Sequence, residues 1–201
     1  MAFTHEPSSI VKFWLIFSAP LIAWDSAYAL LRPWTMEGGF LHWPLWVPYK
    51  KYGEVDHVYG WKYYNAGSGF TSAQSFMNCV EYAMYLSYFW YWYAYGVQVR
   101  AAGGETRKVL IGRKAAAALL VAFSAAIMTV SKTVLYWLCE PFSNFSGIGH
   151  NTLFDLVVLW IIPNGAWIVF PSYMCWKFGS ELVDGLSGDS ATAATSAKKL
   201  K

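Results

Sequence analysis

Charge is scarce in this chain of 201 residues. Asp, Glu, Lys and Arg together make up 13% of it, about half the share found in a soluble domain. The net charge is only +3, and no basic stripe marks a nucleic-acid footprint, so nucleic acid is excluded as a partner. Cysteine is also sparse. Cys79, Cys139 and Cys175 form no CxxC pair and no Cys/His metal spacing. All four histidines, His5, His42, His57 and His150, lie outside the apolar runs, which removes support for a Ser/His/Asp triad or an intramembrane metal site. No Gly-rich strand-to-helix loop is present for a nucleotide. The expected cofactor and metal content is therefore none.

What the chain has instead is apolar and aromatic bulk. It is 56% hydrophobic and 19% aromatic, with a mean hydropathy of +0.30. A chain this small cannot hide that many rings from water, and disordered chains are poor in them. The expected class is all-α: a polytopic membrane protein, built as a bundle of four transmembrane helices with a long first lumenal loop. Four apolar stretches have spanning length, about 20 residues for a ~30 Å hydrocarbon core. They run over 10–31, 75–98, 114–138 and 153–176. Each is continuous rather than alternating, so helices are expected rather than a barrel. The chain divides into an N-terminal segment 1–9, a membrane domain 10–182 and a polar tail 183–201 expected to be disordered.

Lys and Arg set the expected topology. Ten of them, including Lys12, Arg100, Arg107, Lys108 and Lys177, fall on one side. Only Arg32, Lys50, Lys51 and Lys62 fall on the other. Both termini are then cytoplasmic, and the 32–74 and 139–152 connections are lumenal. Lys198-Lys199, third and fourth from the end of the sequence, have the form of an endoplasmic-reticulum retrieval address. Asn144-Phe145-Ser146 is a glycosylation sequon on the expected lumenal side.

Ionisable groups within spans cost several kcal/mol and are functional candidates by default. Asp25, Glu81 and Lys132 each lie six residues inside the lumenal end of their helix, about 9 Å below that boundary. This common depth suggests one polar cluster and a membrane-embedded general acid or base. Asp25 and Glu81 are the expected catalytic pair. Lys132 is a charge partner, or alternatively packing glue or a snorkelling residue. Asp155 sits near the mouth of the fourth helix, where solvation is expected. Asn78, Glu81, Tyr82 and Tyr85 share one helical face by i, i+3 and i+4 spacing. Asn164 and Trp167 share another, beside Pro163. A charge-poor, ring-rich cavity suits a hydrophobic ligand held by a few polar groups, and Trp and Tyr faces can stabilise a cation.

The same residues resemble the emopamil-binding protein (EXPERA-domain) family, which includes the sterol Δ8–Δ7 isomerase and the sigma-two receptor. Asp25 falls at the first-helix acid of the family. Tyr52, Asp56 and Tyr59 match a Y-x3-D-x2-Y pattern in the first loop. Cys79-Val80-Glu81 resembles the motif of the second acid. The run Val134 to Glu140 resembles a V-L-Y-F-L-x-E stretch. Gly149-His150 and Asn164-Gly165-Ala166-Trp167 with Pro171 resemble the remaining signatures. The longer first loop, with Gly38 to Trp43, is similar to the fungal branch. The resemblance implies that Asp25 and Glu81 handle protons on a lipophilic substrate. Asn78, Tyr28, Tyr136, Asn164 and Trp167 would line its site. The position four before Asp25, a histidine in the sterol isomerase, is Leu21 here, which speaks against sterol isomerisation itself. Similar fungal proteins serve secondary-metabolite pathways, where an acid opens an epoxide or starts a terpenoid cyclisation. The expected partners are a lipophilic small molecule, membrane lipids and, by the family's habit, a second copy of the chain in a homodimer. No GxxxG motif stands out for such a dimer. The alternative reading is a non-catalytic sterol- or lipid-binding or trafficking protein.

Overall fold

The computed structural model describes residues 3–100 and 104–187. It is mostly helical. Four long helices form the bundle: α1 (Ser9–Leu30), α4 (Phe70–Tyr95), α5 (Arg113–Phe142) and α6 (Leu153–Ser187). Two short helices, α2 (Pro48–Val55) and α3 (Trp61–Asn65), lie in the connection between α1 and α4. The expected spans match these bundle helices to within a few residues, except at two ends. α4 starts five residues earlier than expected, and α6 runs eleven residues past the expected end at 176, beyond the expected domain boundary at 182. Residues at the end of α6 still have packing work to do. Phe178 and Leu182 join the core, and Glu181 pairs with Lys177 and His5. The tail beyond Ser187, with Lys198 and Lys199, lies outside the described residues.

Three helices, α1, α5 and α6, are long and apolar enough to cross a membrane. α4 is as long, at 26 residues or about 39 Å. It is more polar because Gln74, Asn78, Glu81 and many tyrosines interrupt it. In the most apolar window of α6 only 6% of residues are buried inside the protein. Side chains such as Val169, Trp176 and, on α1, Ile16 point outward. An apolar surface of that extent needs lipid rather than water.

A stripe of small residues lets the helices approach. On α5, Ala115, Ala118, Ala122, Ala125, Ala126 and Thr129 recur every three or four positions and are buried. Small residues at that spacing permit close backbone contact and dispersion packing where lipid removes the hydrophobic drive. α4 and α6 both pack on α5, and α1 packs on α4. Around the stripe lies the main core: Val11, Trp14, Leu15, Tyr85, Tyr88, Met174 and Phe178. Trp14 stacks on Phe170 with centroids 4.4 Å apart.

The expectation of an all-α chain needs one correction. A small antiparallel sheet, in the order β1-β3-β2, caps one end of the bundle. It comprises β1 (Thr4–His5), β2 (Val97–Arg100) and β3 (Thr106–Ile111). The strands hold four to six residues or fewer, too short to show a period, yet they carry β-branched Val, Thr and Ile. Buried His5 anchors this cap. Its Nδ1 lies 2.6 Å from Glu181 Oε2, and its Nε2 lies 2.7 Å from Tyr88 Oη.

At the other end the two connections pack on each other. His57 N donates to Gly147 O, and Asn151 Nδ2 donates to Val55 O. The His57 and His150 rings stack at 3.9 Å. The path of the first loop is fixed by indole and guanidinium donors. Trp24 Nε1 donates to Leu45 O, and Trp46 Nε1 donates to Trp24 O. Buried Arg32 donates to Ala29 O and Val58 O.

Pro163 has no N–H to continue the helical ladder. A π-helical stretch, Leu156–Ile161, directly precedes it. Such bulges re-aim side chains and are frequent at functional sites. Here the stretch turns Trp160 and Asn164 inward, onto the first loop.

Candidate functional site

A cavity of about 520 Å³ opens among α1, α2, α4, α5, α6 and the first loop. That is within the range for a small-molecule site. Its wall is largely apolar and aromatic, with Leu21, Ile22, Trp24, Val58, Phe70, Leu159 and Trp167. The polar exceptions include Asp25, Tyr49, Tyr52, Tyr59, Gln74, Asn78, Lys132, Tyr136 and Asn164.

Asp25 is held by tyrosines. Tyr49 Oη donates to Oδ1 at 2.7 Å, and Tyr59 Oη donates to Oδ2 at 3.3 Å. Two donors aimed at one carboxylate favour its charged form, while an apolar cavity disfavours it. The tyrosines are themselves braced. Tyr28 stacks on Tyr49 with centroids 3.9 Å apart, and its hydroxyl donates to Tyr59 O. Tyr52 meets Tyr59 edge-on at 5.0 Å. Burial, with the Asp25 charge behind it, raises the hydroxyls of Tyr49 and Tyr59 above the ordinary tyrosine range. They therefore stay protonated as donors.

Two of the three charges form an ion pair. Lys132 Nζ lies 3.2 Å from Glu81 Oε2 and donates to Asn78 Oδ1. Thr129 Oγ1 also donates to Glu81 Oε2, at 2.9 Å. Asp25 makes no ion pair among the described residues; its partners are hydroxyls. Glu81 and Lys132 meet in that ion pair, while Asp25 lines the same cavity as Lys132 without pairing with it. Glu81 is 3% exposed and is not among the lining residues. It reaches the cavity through Lys132. Its Oε1 is buried and finds no hydrogen-bond partner among the described residues.

A second polar group sits at the loop end. Asp56 is fully buried. Its Oδ1 accepts from Val58 N at 3.0 Å. Its Oδ2 accepts from Tyr136 Oη and, at 3.1 Å, from Trp160 Nε1. Burial pushes the Asp56 carboxyl up to about 7, against the Val58 amide and with the nearby Glu140 charge adding to the rise. Tyr136 lines the cavity, while Asp56 stands behind it. Asn164 Nδ2 donates to Trp160 O at 2.8 Å and to Tyr52 Oη at 3.4 Å, tying α6 to the first loop.

Of the residues expected from sequence, Asp25, Asn78, Lys132, Tyr52, Tyr59, Tyr136, Asn164 and Trp167 line this one cavity. Tyr28, Asp56 and Glu81 lie behind its wall. Tyr82 is half-buried on α4 and does not line it. Asp155 lies at the mouth of α6, as expected, 3.7 Å from Lys51. Sequence reasoning missed Tyr49, Trp24, Gln74 and Trp160. Trp160 precedes Asn164 by one helical turn, and Tyr49 precedes Tyr52 by three residues on α2, so spacing held a signal for both. Among the described residues no group of three or more His, Cys, Asp or Glu could hold a metal ion. Compared with known proteins, the chain matches no family model, no curated sequence and no solved structure.

Proposed function

We propose that the protein is an intramembrane acid–base catalyst acting on a lipophilic, sterol-like or terpenoid substrate, with no cofactor. The observation that carries this reading is a carboxylate, Asp25, set by two tyrosine hydroxyls in the wall of an apolar cavity of about 520 Å³. A dry site strengthens every electrostatic interaction within it. Asp25 delivers or removes the proton, and the Trp24, Tyr52 and Trp167 rings stabilise positive charge on carbon. The reaction is then protonation-initiated cyclisation, epoxide opening or double-bond isomerisation through a carbocation. Asn164 and Asn78 orient the ligand. Glu81 holds Lys132 in place.

We place the protein in the endoplasmic-reticulum membrane with four spans, α4 joining α1, α5 and α6 as the second in chain order, and with both termini cytoplasmic. The tight packing of α4 on α5 and α1 supports its place among the spans. The basic residues at the sheet end support the orientation. The likeness to the emopamil-binding family rests on the sequence motifs above and fits this placement.

The second reading is a non-catalytic lipid-binding protein. It is favoured by one observation: Glu81, the second acid, is turned away from the cavity and occupied by Lys132 and Thr129. Microsomes expressing wild type, Asp25→Asn and Glu81→Gln, supplied with sterol and epoxy-terpenoid substrates, separate the two. Catalysis requires turnover by wild type and its loss in Asp25→Asn. Wild-type retention of the lipids unchanged would establish the binder.

A further inference from the structure

Tyr136 stands between two spaces. It lines the main cavity, and it also lines a smaller one bounded by Glu140, Cys139 and Ser143 at the loop end. Its ring is held against Phe70 with centroids 6.3 Å apart and nearly parallel planes. Its hydroxyl meets two groups behind the wall. It donates to Asp56 Oδ2 and accepts from Trp160 Nε1 at 3.1 Å. Asp56 accepts three donors, none of them cationic.

The proton inventory has a consequence. When Asp56 is ionised, the single hydrogen of Tyr136 is spent on it. When Asp56 carries a proton, the bond reverses, and Asp56 donates to Tyr136 Oη. Trp160 N–H and Asp56 O–H then both point at the phenolic oxygen, and the tyrosine hydrogen is free for the cavity. A buried neutral acid behind a tyrosine polarises that tyrosine toward a substrate oxygen.

We propose that Tyr136, positioned by Asp56 and Trp160, is the hydrogen-bond donor for a neutral oxygen on the substrate, so that the ligand is an oxygenated rather than a hydrocarbon lipophile. The inference rests on the reading of the main cavity as a site for a lipophilic molecule. Tyr136 touches the ligand; Asp56 is a positioning residue that acts through it. The lone proton of Asp56 governs the donor, and burial pushes its carboxyl up to about 7. The titratable groups around it are Glu140 and Tyr136 from α5, Asp25 from α1, and Tyr52 and Tyr59 from α2 and the first loop. Below that pH the donor is available; above it Asp56 reclaims the hydrogen.

The test uses two probes that differ by one oxygen, 5α-cholestan-3-one and 5α-cholestane, with the full chain in lipid nanodiscs. Wild type should bind the ketone about tenfold more tightly than the hydrocarbon, as one well-formed hydrogen bond allows. The carbonyl stretch of the bound, 13C-labelled ketone should fall below its value in alkane solvent. Tyr136→Phe should remove both the preference and the shift. In wild type the preference should fade as pH rises through 7. Asp56→Asn, whose amide donates at every pH, should keep the preference and abolish its pH dependence. That last result also keeps the test decisive should Tyr136→Phe fail to fold. Equal binding of the two probes, or an unshifted carbonyl, would overturn the donor role and leave the lipophilic cavity standing. Binding of neither probe would instead overturn the reading of the cavity on which the proposal depends.

Discussion

The sheet-capped half of the bundle is solid, and the loop-capped half is hollow. In the first, the alanine stripe of α5 draws the helices together around Trp14, Tyr88 and Phe178. Its polar groups, buried His5 and Tyr88 and half-buried Glu181, satisfy one another. In the second, the helices are held apart by loop aromatics, and polar side chains turn toward a cavity. The same residue type serves both halves differently. Tyr88 is fully buried and ends in a histidine, whereas Tyr49 and Tyr59 aim their hydroxyls at a carboxylate in the cavity wall. Buried polar groups that satisfy each other rigidify a fold, and those that face a cavity are free to do chemistry.

The comparison is broken most forcefully at Asp25. Asp25→Asn keeps the shape and both tyrosine partners but removes the titrating group. Turnover of the lipophilic substrate in microsomes should fall about 10²–10⁴-fold, with melting temperature little changed. The same substitution in a binder would leave no rate to lose.

The next largest effect is on stability and concerns Asp56. Its folded carboxyl titrates near 7, well above the unfolded value of 3.8. The folded state therefore holds the proton more tightly. Asp56 contributes most stability below the unfolded value, and this is lost as pH rises through the window up to about 7. The fully developed loss is on the order of 4 kcal/mol. Thermal unfolding in nanodiscs between pH 4 and 8 should show this decline, and Asp56→Asn should flatten it.

Filling the solid half provides a third test. Ala122 is fully buried in the α5 stripe. Ala122→Leu should destabilise by about 1–3 kcal/mol through overpacking. Leu21, which lines the cavity, should accept Leu21→Phe with a smaller loss of stability, because space lies beside it. The smallest effect is expected at Glu81. It touches the cavity only through Lys132, so Glu81→Gln, which still accepts from the ammonium, should lower turnover less than tenfold in the same microsomal assay. A loss equal to that of Asp25→Asn would make the two acids equal partners.

The helices were legible because apolar runs of spanning length have few other uses. The meeting of Glu81 and Lys132 was legible too: the ends expected from sequence put both six residues deep, and the true ends, at Phe70 and Phe142, put them eleven and ten residues deep, again nearly level. The partners of Asp25 were not. Tyr49 and Tyr59 lie 24 and 34 residues away, on a loop whose path is set by Trp24, Trp46 and Arg32 donating to backbone carbonyls. No periodicity encodes such a path. The sheet escaped notice because strands of two to six residues carry almost no pattern. Trp160 stands one turn before Asn164, where spacing could have found it, but its bond to Asp56, 104 residues away, has no local signal.

The central claim, that Asp25 moves a proton on a lipophilic substrate, is tested most directly by isotope transfer. Microsomes expressing wild type or Asp25→Asn are incubated in D2O with epoxy-terpenoid and sterol substrates, and the recovered lipids are read by mass spectrometry. For alkene substrates, where the proton goes to carbon, the account predicts deuterium on carbon in the wild-type products and none above the empty-vector control in Asp25→Asn. For epoxides, where the proton goes to oxygen and exchanges away, it predicts ring-opened or cyclised product from wild type and none from Asp25→Asn. Neither deuterium nor epoxide-derived product from wild type, or equal amounts from both, would contradict it.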